Sequence, residues 1–128
     1  MATLDKLIGF IPTRNAEVAR EFYERKVGLR FVSDDHFALV FHSGSDSGGS
    51  SIRIVRVGDF TPAQFTILGW ESTNIEQDVR DFSQRGVQFE QYGFPGQDER
   101  GIWTAPGGAK VAWFKDPDAN VLSLSQHS

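Results

Sequence analysis

The chain has 128 residues, a net charge of −4 and no cysteine, and 39% of its residues are hydrophobic. This length suits one domain, or two small modules that share one core. The lack of cysteine excludes a disulfide framework, a thiolate zinc site and a cysteine nucleophile, and the acidic balance lacks the basic footprint of a nucleic-acid-binding protein.

The first predicted strand is KLIGFIP at residues 6–12, and it contains the apolar run LIGFI. This run is too short for the apolar core of a signal peptide or for a membrane span. We therefore expect a cytoplasmic protein that has neither a membrane nor a nucleic acid as its partner. A similar strand-like run, FTILGWES at residues 65–72, begins the second half of the chain.

Each of these runs leads to an asparagine, Asn15 or Asn74, that is predicted to cap a helix. The side-chain oxygen of such a residue accepts a hydrogen bond from an amide of the first helical turn. Gln77 is expected to complete a capping box, and Gly28 and Gly86 stand where the helices would end in a left-handed residue. The predicted apolar stripes are Val18, Phe22 and Tyr23 in the first helix, and Ile75, Val79 and Phe82 in the second.

The sequence around the two helices repeats. AREFYERKVGLRF at residues 19–31 and VRDFSQRGVQF at residues 79–89 share an Arg-acid-Phe triplet followed by a glycine and an apolar residue. Ordered matches of this kind indicate a duplication. The extended segments that follow are LRFVS, FALVFH and SIRIVRV in the first half, and VQFEQY, GIWT, KVAWFK and VLSLSQ in the second. Each half is therefore predicted to be a strand, a helix and three strands, in modules spanning 5–58 and 65–127.

Four connections carry glycine, proline or polar residues. SGSDSGGS at 43–50 is interpreted as a mobile hairpin connection, because it lacks the Lys-Ser/Thr ending of a phosphate-binding loop. APGG at 105–108 and DPDAN at 116–120 are turns, the latter with Pro117 fixing φ and Asn120 closing the loop. YGFPGQDERG, from Tyr92 to Gly101, is either a lid over a binding site or an ordinary loop.

Two βαβββ modules, with FYERKVGLRF in the first and WFKDPDANVLSL at the end of the second, resemble the vicinal oxygen chelate superfamily. This is the glyoxalase, bleomycin-resistance and extradiol-dioxygenase group. The resemblance extends from Lys6 to Gln126, which implies one glyoxalase-like domain over 1–128, and LGWEST is similar to a glyoxalase-like bacterial subgroup. It implies an α+β fold in which the sheets form a cup and the helices cover its convex face. It also implies a homodimer.

Enzymes of this superfamily hold a divalent metal in the cup through His, Glu or Gln side chains on the first and last strands of each module. The resemblance places the four ligand positions at Ile8, about Arg53, Ile67 and Ser123. None of these is a competent ligand, and only Glu71 and Gln126 lie nearby. We therefore expect no metal, no other cofactor and no metal-dependent glyoxalase or dioxygenase activity.

The three histidines offer little in place of these ligands. His36 and His42 are interpreted as surface or strand-edge residues and His127 as part of a terminal tail. A metal site that uses His42 is the less favoured alternative, because metal ligands come in clusters.

Period-two alternation predicts which side chains face the cup. The predicted inward residues are Ile8, Phe10, Ile67, Gly69, Glu71, Val121, Ser123 and Ser125, and those facing the helices are Leu68, Trp70, Leu122 and Leu124. Apolar walls with a few polar groups, here Arg53, Glu71 and Ser123, are typical of a small-molecule pocket. Trp103 and Trp113 are further candidates for ligand contact, or else core or dimer-interface aromatics.

The residues leave more than one function open. The first is a metal-free protein that binds a small organic molecule through Phe10, Arg53, Glu71, Trp103, Trp113 and Ser123. The second is a lyase- or isomerase-type enzyme in which Glu71, its pKa raised by an apolar cup, acts as a base, with Arg53 as oxyanion partner. Arg53 could instead be solvated on an edge strand or pair with Glu71, and Glu71 could be a surface acid.

Two other functions are less favoured. Ser123 has no identifiable triad partner, so nucleophilic catalysis is not expected. A protein that serves only as a scaffold for protein contacts is the third and weaker hypothesis.

Overall fold

The computed structural model describes residue 4, residues 6–44 and residues 49–127. The chain divides into two compact units, Met1–Thr61 and Pro62–Ser128. The first unit contains β1 (Ile8–Thr13), α1 (Ala16–Glu21) with a π-helical continuation (Phe22–Val27), β2 (Arg30–Asp34), β3 (Ala38–Ser43) and β4 (Ser50–Arg56). The second contains β5 (Leu68–Glu71), α2 (Ile75–Gln84), β6 (Trp103–Thr104), β7 (Lys110–Lys115) and β8 (Val121–Gln126). No helix in the described ranges has the length and hydropathy needed to cross a membrane.

The two units have the same topology. Each contains a four-stranded sheet, in the order β1-β4-β3-β2 in the first unit and β5-β8-β7-β6 in the second. The first and last strands of each unit pair in parallel, and the remaining neighbours are antiparallel. The predicted strand–helix–three-strand arrangement is therefore confirmed in both halves.

Strand register extends this equivalence to single residues. Phe10 of β1 pairs with Arg53 of β4, and Gly69 of β5 pairs with Ser123 of β8. Phe10 and Gly69 each lie two residues beyond an isoleucine at a predicted ligand position, Ile8 or Ile67. Arg53 and Ser123 thus occupy equivalent positions in the two sheets. This equivalence is required if both stand at metal-ligand positions of the superfamily, as the sequence resemblance predicts.

Both helices begin as predicted, and their N-terminal caps also repeat. Asn15 accepts a hydrogen bond from the Val18 amide, and Asn74 accepts one from the Gln77 amide. The backbone amide of Asn74 donates to the Ser72 hydroxyl at 3.1 Å, as that of Asn15 donates to Thr13. The prediction of a capping box is therefore wrong. In a capping box the Gln77 side chain would accept a hydrogen bond from the Asn74 amide, but this amide already donates to Ser72.

One prediction about the helix stripes is wrong. Val18 is 46% exposed, whereas Ala19 is completely buried. Ala19 and Tyr23 are spaced i, i+4 on the buried side, so Val18 falls one position away from the sheet. The other predicted stripe residues are buried, and Gly28 and Gly86 have the left-handed φ angles expected at the helix ends, 91° and 95°.

The predicted strand VQFEQY does not form. Phe89 makes only an isolated bridge with Phe114, and the Glu90 amide donates to the Trp113 carbonyl at 2.8 Å. Beyond this point the amides of Tyr92 and Gly93 donate to the side-chain oxygen of Gln97. Because a side chain takes these donors, the backbone leaves the sheet.

The predicted turns are present where the structure describes them. In APGG, the Gly108 amide donates to the Ala105 carbonyl at 2.9 Å. Of the predicted mobile connection SGSDSGGS, residues 45–48 lie outside the described residues.

The DPDAN turn is organised by a buried carboxylate. Asp116 Oδ1 accepts hydrogen bonds from the amides of Asp118 and Asn120, and Asp116 Oδ2 accepts one from Asn120 Nδ2, each at 2.9 Å. All three of these residues are buried. The acids of this stretch therefore form the turn, but the positive φ falls on Ala119 (68°) rather than on a glycine or asparagine.

Replacing Ala119 with glycine is expected to raise the free energy of unfolding by about 1 kcal/mol, because glycine adopts positive φ without the clash of a Cβ atom. Chemical denaturation measures this change. The matched control is Ala105→Gly in the turn before β7, since Ala105 does not have a positive φ. Ala105→Gly should lower the free energy of unfolding. An equal decrease in the Ala119→Gly variant would contradict the expectation.

Candidate functional site

The open face of the second sheet carries most of the candidate residues. Residues paired on neighbouring strands form rows across this face. One row contains Gly69, Ser123 and Trp113, and the next contains Glu71, Ser125, Val111 and Trp103. Neighbouring strands lie about 5 Å apart, so side chains in one row are within reach of their neighbours. The sequence prediction that Gly69, Glu71, Ser123 and Ser125 share a face is confirmed by this register.

The other face of the same sheet packs under helix α2. The ring of Trp70 stacks on that of Phe114 with a centroid distance of 6.5 Å, and the Phe82 ring of α2 contacts Phe114 at 5.6 Å. Leu122 and Leu124 are buried. Trp70, which is half-buried, and the buried Leu122 and Leu124 thus lie on the side of the sheet that faces the helix, as alternation predicts. Trp103 and Trp113 are the tryptophans of the open face.

Four aromatic side chains meet on this open face, and we call them the aromatic cluster: Tyr92, Phe94, Trp103 and Trp113. The centroids of the two indole rings are 6.1 Å apart. The rings of Tyr92 and Phe94 lie 5.4 and 5.9 Å from that of Trp113 and 5.4 Å from each other. Tyr92 is 41% exposed and Phe94 is 45% exposed, so the cluster presents aromatic surface to solvent.

Gln97 holds the segment that supplies Tyr92 and Phe94. Its Oε1 atom accepts hydrogen bonds from the amides of Tyr92 and Gly93, at 2.9 and 3.2 Å. Its Nε2 atom donates to the carbonyls of Glu90 and Gly101, both at 3.0 Å. One amide side chain therefore joins both ends of the segment, which the sequence interpreted as a lid or an ordinary loop.

Trp103 is fixed by the same segment. Its indole nitrogen donates to the Pro95 carbonyl at 3.1 Å, and the Thr104 amide donates to the Gly96 carbonyl at 3.2 Å. Asp98 accepts hydrogen bonds from the amides of Arg100 and Ile102. These bonds orient the ring before any ligand arrives, which reduces the entropy lost when a ligand binds.

Tyr92 is the titratable member of the aromatic cluster. Burial raises the pKa of its hydroxyl above the usual value of 10.0, and the nearby Glu90 carboxylate raises this pKa further. The hydroxyl therefore stays protonated at neutral pH and can donate a hydrogen bond. Glu90 itself forms an ion pair with Lys115 at 3.7 Å.

Gly69 provides the space beside Ser123. A Cβ atom at position 69 would lie 2.8 Å from Ser123 Oγ and 3.3 Å from the Ser123 carbonyl oxygen. The absence of a side chain thus leaves room for the Ser123 hydroxyl in the row that ends at Trp113. A larger residue at position 69 would displace that hydroxyl.

The candidates of the first unit lie on the strands of their own sheet. Phe10 is 64% exposed on strand β1, and Arg53 lies on β4, which is an interior strand. The hypothesis that Arg53 occupies an edge strand is therefore wrong. Its guanidinium pairs with Asp35 at 2.5 Å, whereas the sequence suggested Glu71 as a partner.

This ion pair is one of two at the turn between β2 and β3. Arg56 binds both oxygens of Asp34, at 2.8 and 2.7 Å. The hydrogen bond from Arg56 holds the pKa of Asp34 well below its usual range, and the hydrogen bond from Arg53 lowers the pKa of Asp35. Arg53 thus has a structural partner in Asp35 of this turn.

Glu71 lies at the end of the edge strand β5 and is exposed. The hypothesis of a catalytic base needs this carboxylate in an apolar surrounding, because burial is what would raise its pKa. The exposed position fits the alternative of a surface acid on the same face as Ser125.

The residues at the four inherited metal positions do not fit a divalent cation. Ile8 and Ile67 carry no donor atom, and Arg53 is a cation already paired with Asp35. The nearby Gln126 accepts a hydrogen bond from the Ile75 amide at 2.7 Å, so it caps helix α2. In the described part of the chain, no three or more His, Asp or Glu side chains come together as a metal group.

His36 and His127 lie where the sequence suggested, whereas His42 is on the interior strand β3 rather than at the surface or on a strand edge. His36 is exposed in the turn between β2 and β3, with a φ of 73°, and His42 is half-buried on β3. His127 is exposed after β8.

Sequence reasoning identifies half of the aromatic cluster. Trp103 and Trp113 are sequence-predicted candidates, whereas Tyr92, Phe94 and the positioning residue Gln97 are not. A signal is present, since Tyr92 and Phe94 are large apolar residues in an otherwise polar loop. The hydrogen bonds of Gln97 depend on tertiary geometry and leave no periodic pattern in the sequence.

The two βαβββ units, each with its first and last strands in parallel, give this chain the vicinal oxygen chelate fold. The fold predicted from the sequence is therefore confirmed. No protein-family profile matches the chain, and no curated protein matches it.

Solved structures supply the comparison. The antibiotic binding protein TnmS3 from Streptomyces sp. CB03234 has a TM-score of 0.73 and 22% identity, with 100% of this chain and 99% of that chain covered. A member of the glyoxalase/bleomycin resistance protein/dioxygenase superfamily from Sphaerobacter thermophilus has a TM-score of 0.70 and 19% identity, with 99% and 98% covered. The integron cassette protein HFX_CASS4, from the mobile metagenome of a sewage outfall in Halifax Harbour, has a TM-score of 0.70 and 14% identity, with 94% and 97% covered.

Proposed function

We propose that this protein binds a small planar aromatic molecule on the open face of its second sheet. The observation that carries the proposal is the aromatic cluster, in which two indole rings 6.1 Å apart are joined by Tyr92 and Phe94. Aromatic rings stack with one another in offset or edge-to-face arrangements, and each such pair contributes about 1 kcal/mol beyond its buried area. A cluster with exposed ring surface is therefore a suitable platform for a flat ligand.

Polar groups on the same face would set the orientation of the ligand. The Tyr92 hydroxyl is a donor at neutral pH, and Ser123 and Ser125 lie in the rows that end at Trp113 and Trp103. Apolar walls with a few oriented polar groups are the usual composition of a ligand site. The similarity to a structure described as an antibiotic binding protein agrees with this proposal.

The same proposal assigns lesser roles to the remaining candidates. Phe10 and Arg53 belong to the first sheet, and Arg53 is held by Asp35. Glu71 is exposed at the sheet edge, where it would contact the polar part of a ligand without acting as a base. We assign no reaction to the protein.

We further propose that the protein works as a metal-free cytoplasmic homodimer. The isoleucines at two inherited metal positions support the metal-free state, and the lack of cysteine suits a reducing compartment. Elemental analysis of the purified protein tests the first point, and stoichiometric nickel, zinc, iron or manganese would contradict it. Analytical ultracentrifugation tests the second point, and a monomer at micromolar concentration would contradict it.

Replacing Trp113 with alanine is expected to weaken the binding of a planar aromatic ligand at least about tenfold, because the ring contacts every other member of the cluster. Isothermal titration calorimetry with 9-aminoacridine and with 2-naphthol measures the change. Phe94→Ala is a second variant that removes less of the cluster, and several-fold weaker binding is expected.

The matched control is Phe37→Ala, which removes an exposed phenylalanine from the first unit. Its affinity should equal that of the unmodified protein. Equal affinities for all three variants, or no binding of either compound, would refute the proposed ligand site.

A further inference from the structure

A second concave site lies against helix α2 in the second unit. It is a cleft of about 520 Å³ between this helix and the segment that runs from Val87 to Arg100. Its floor is apolar and is formed by Val79, Val87 and Phe89. This volume falls within the range of about 300–1,000 Å³ that is typical of small-molecule sites.

The cleft is separate from the aromatic cluster. The Phe89 ring packs on Phe82 of α2 and on Phe114, at centroid distances of 6.4 and 5.4 Å, so it belongs to the side of the sheet that faces the helix. Tyr92, a few residues later, packs on Trp113 on the opposite face. The same stretch of chain thus contributes to two sites, one on each side of the sheet.

The rim of the cleft carries an excess of positive charge. Arg80 and Arg100 line it, and Glu99 is the one acid among the described residues that do so. One guanidinium nitrogen of Arg80 donates to Gln77 Oε1 at 3.0 Å, which leaves its other N–H groups available to a ligand. The guanidinium of Arg100 has no hydrogen-bond or ion-pair partner within the described ranges, since only its backbone amide is engaged, by Asp98.

The walls of the cleft are held in place by hydrogen bonds and close packing. The Gln91 side chain donates to the carbonyls of Asp98 and Glu99, at 3.3 and 3.0 Å, which fixes the turn that presents Arg100. Gly101 has a φ of 93°, and a Cβ atom there would lie 2.9 Å from Phe89 Cβ. Glycine therefore allows this turn to lie directly against the floor, and the cleft is formed before a ligand binds.

We propose that this cleft binds a small amphiphilic anion, whose charged head lies between Arg80 and Arg100 and whose apolar part rests on Val79, Val87 and Phe89. The planar guanidinium fork of arginine matches the geometry of a carboxylate or a phosphate and binds it through paired hydrogen bonds. The side-chain amide of Gln88 also lines the cleft and supplies a further donor, whereas Gln91 lines it with an amide whose N–H groups are already engaged. The apolar floor adds affinity in proportion to the ligand surface that it covers.

Octanoate is a suitable probe, because it has an aliphatic chain and no ring that could stack on the aromatic cluster. In two-dimensional NMR titrations of the intact protein, we expect octanoate to shift the side-chain amide signals of Gln88 and Gln91 and the backbone amide of Arg100. The double variant Arg80→Gln, Arg100→Gln should bind octanoate at least about tenfold more weakly. Acetate, which lacks the chain, and octan-1-ol, which lacks the charge, should each bind several-fold more weakly than octanoate.

Two control variants test whether octanoate binds in this cleft or elsewhere on the protein. Arg25→Gln removes an exposed arginine of the first unit, and Trp113→Ala removes a ring of the aromatic cluster; neither should change the affinity for octanoate. An unchanged affinity in the arginine double variant, or shifts that miss the cleft signals, would overturn the proposal. Binding of octan-1-ol as tight as that of octanoate would overturn the role of the arginines.

Discussion

Replacing Asp116 with alanine is expected to lower the free energy of unfolding by about 3 kcal/mol or more. The carboxylate accepts two backbone amides and the side-chain amide of Asn120, and Asp116 and Asn120 are 5% and 1% exposed. Removal of the carboxylate would leave these buried donors without their acceptor. The loss of a buried acceptor is costly because each donor must still be removed from water on folding.

Two variants sharpen this test in urea denaturation experiments. Asp116→Asn keeps the shape and the acceptor for the two backbone amides but places an amide group against Asn120 Nδ2, so about half of the loss is expected. Asp59→Ala removes an aspartate whose side chain is 93% exposed, and the stability should change by no more than about 0.5 kcal/mol. A loss at Asp116→Ala as small as that at Asp59→Ala would contradict the structural role of this turn.

Replacing Gln97 with alanine is expected to weaken the binding of a planar aromatic ligand at least about tenfold and to lower stability by about 2 kcal/mol. The Gln97 amide group is bound to two carbonyls and two backbone amides at both ends of the segment that carries Tyr92 and Phe94. Without it, the two rings lose their fixed position over Trp113. Calorimetry and denaturation on the same samples measure both effects.

Gln97→Glu separates the two kinds of bond. The carboxylate keeps the acceptors for Tyr92 and Gly93 but turns an oxygen toward the carbonyls of Glu90 and Gly101, so binding should weaken as much as in the alanine variant. Gln84→Ala, at the exposed end of α2, is the matched control and should change neither quantity. An unchanged affinity in Gln97→Ala would show that the segment does not determine ligand binding.

Much of the fold follows from local signals that also hold in the structure. The asparagine caps at Asn15 and Asn74 and the left-handed residues at Gly28 and Gly86 depend only on nearby backbone, so a short stretch of sequence specifies them. Strand alternation correctly assigns Trp70 to the helix-facing side of the sheet and Ser123 to the open face, because successive side chains of a strand point to opposite faces.

The failures have a common physical cause. Gln77 does not form a capping box, because the Asn74 amide donates to Ser72 instead. VQFEQY does not become a strand, because the amides of Tyr92 and Gly93 donate to the Gln97 side chain. In both cases a polar side chain from another position competes successfully for a backbone donor. The ion pair between Arg53 and Asp35 joins residues 18 positions apart, and propensity along the chain does not reveal it.

The candidate site is only partly accessible to sequence reasoning for the same reason. The family resemblance identifies positions where metal ligands would stand, and it makes Ser123 and Arg53 prominent. The aromatic cluster lies beside Ser123, yet half of it comes from a loop whose path is set by hydrogen bonds to side chains. Apolar residues in a polar loop, such as Tyr92 and Phe94, are the feature to search for in sequences of this fold.

The most direct test of the central claim is the set of indole N–H signals in a two-dimensional NMR spectrum during titration with 9-aminoacridine or 2-naphthol. The chain has three tryptophans, of which Trp103 and Trp113 belong to the aromatic cluster, whereas Trp70 stacks on Phe114 on the other face of the sheet. We predict saturable shifts of the Trp103 and Trp113 signals while the Trp70 signal stays in place. Signals of Trp103 and Trp113 that do not move for either compound, or that move no more than that of Trp70, would contradict the claim that this face binds planar aromatic ligands.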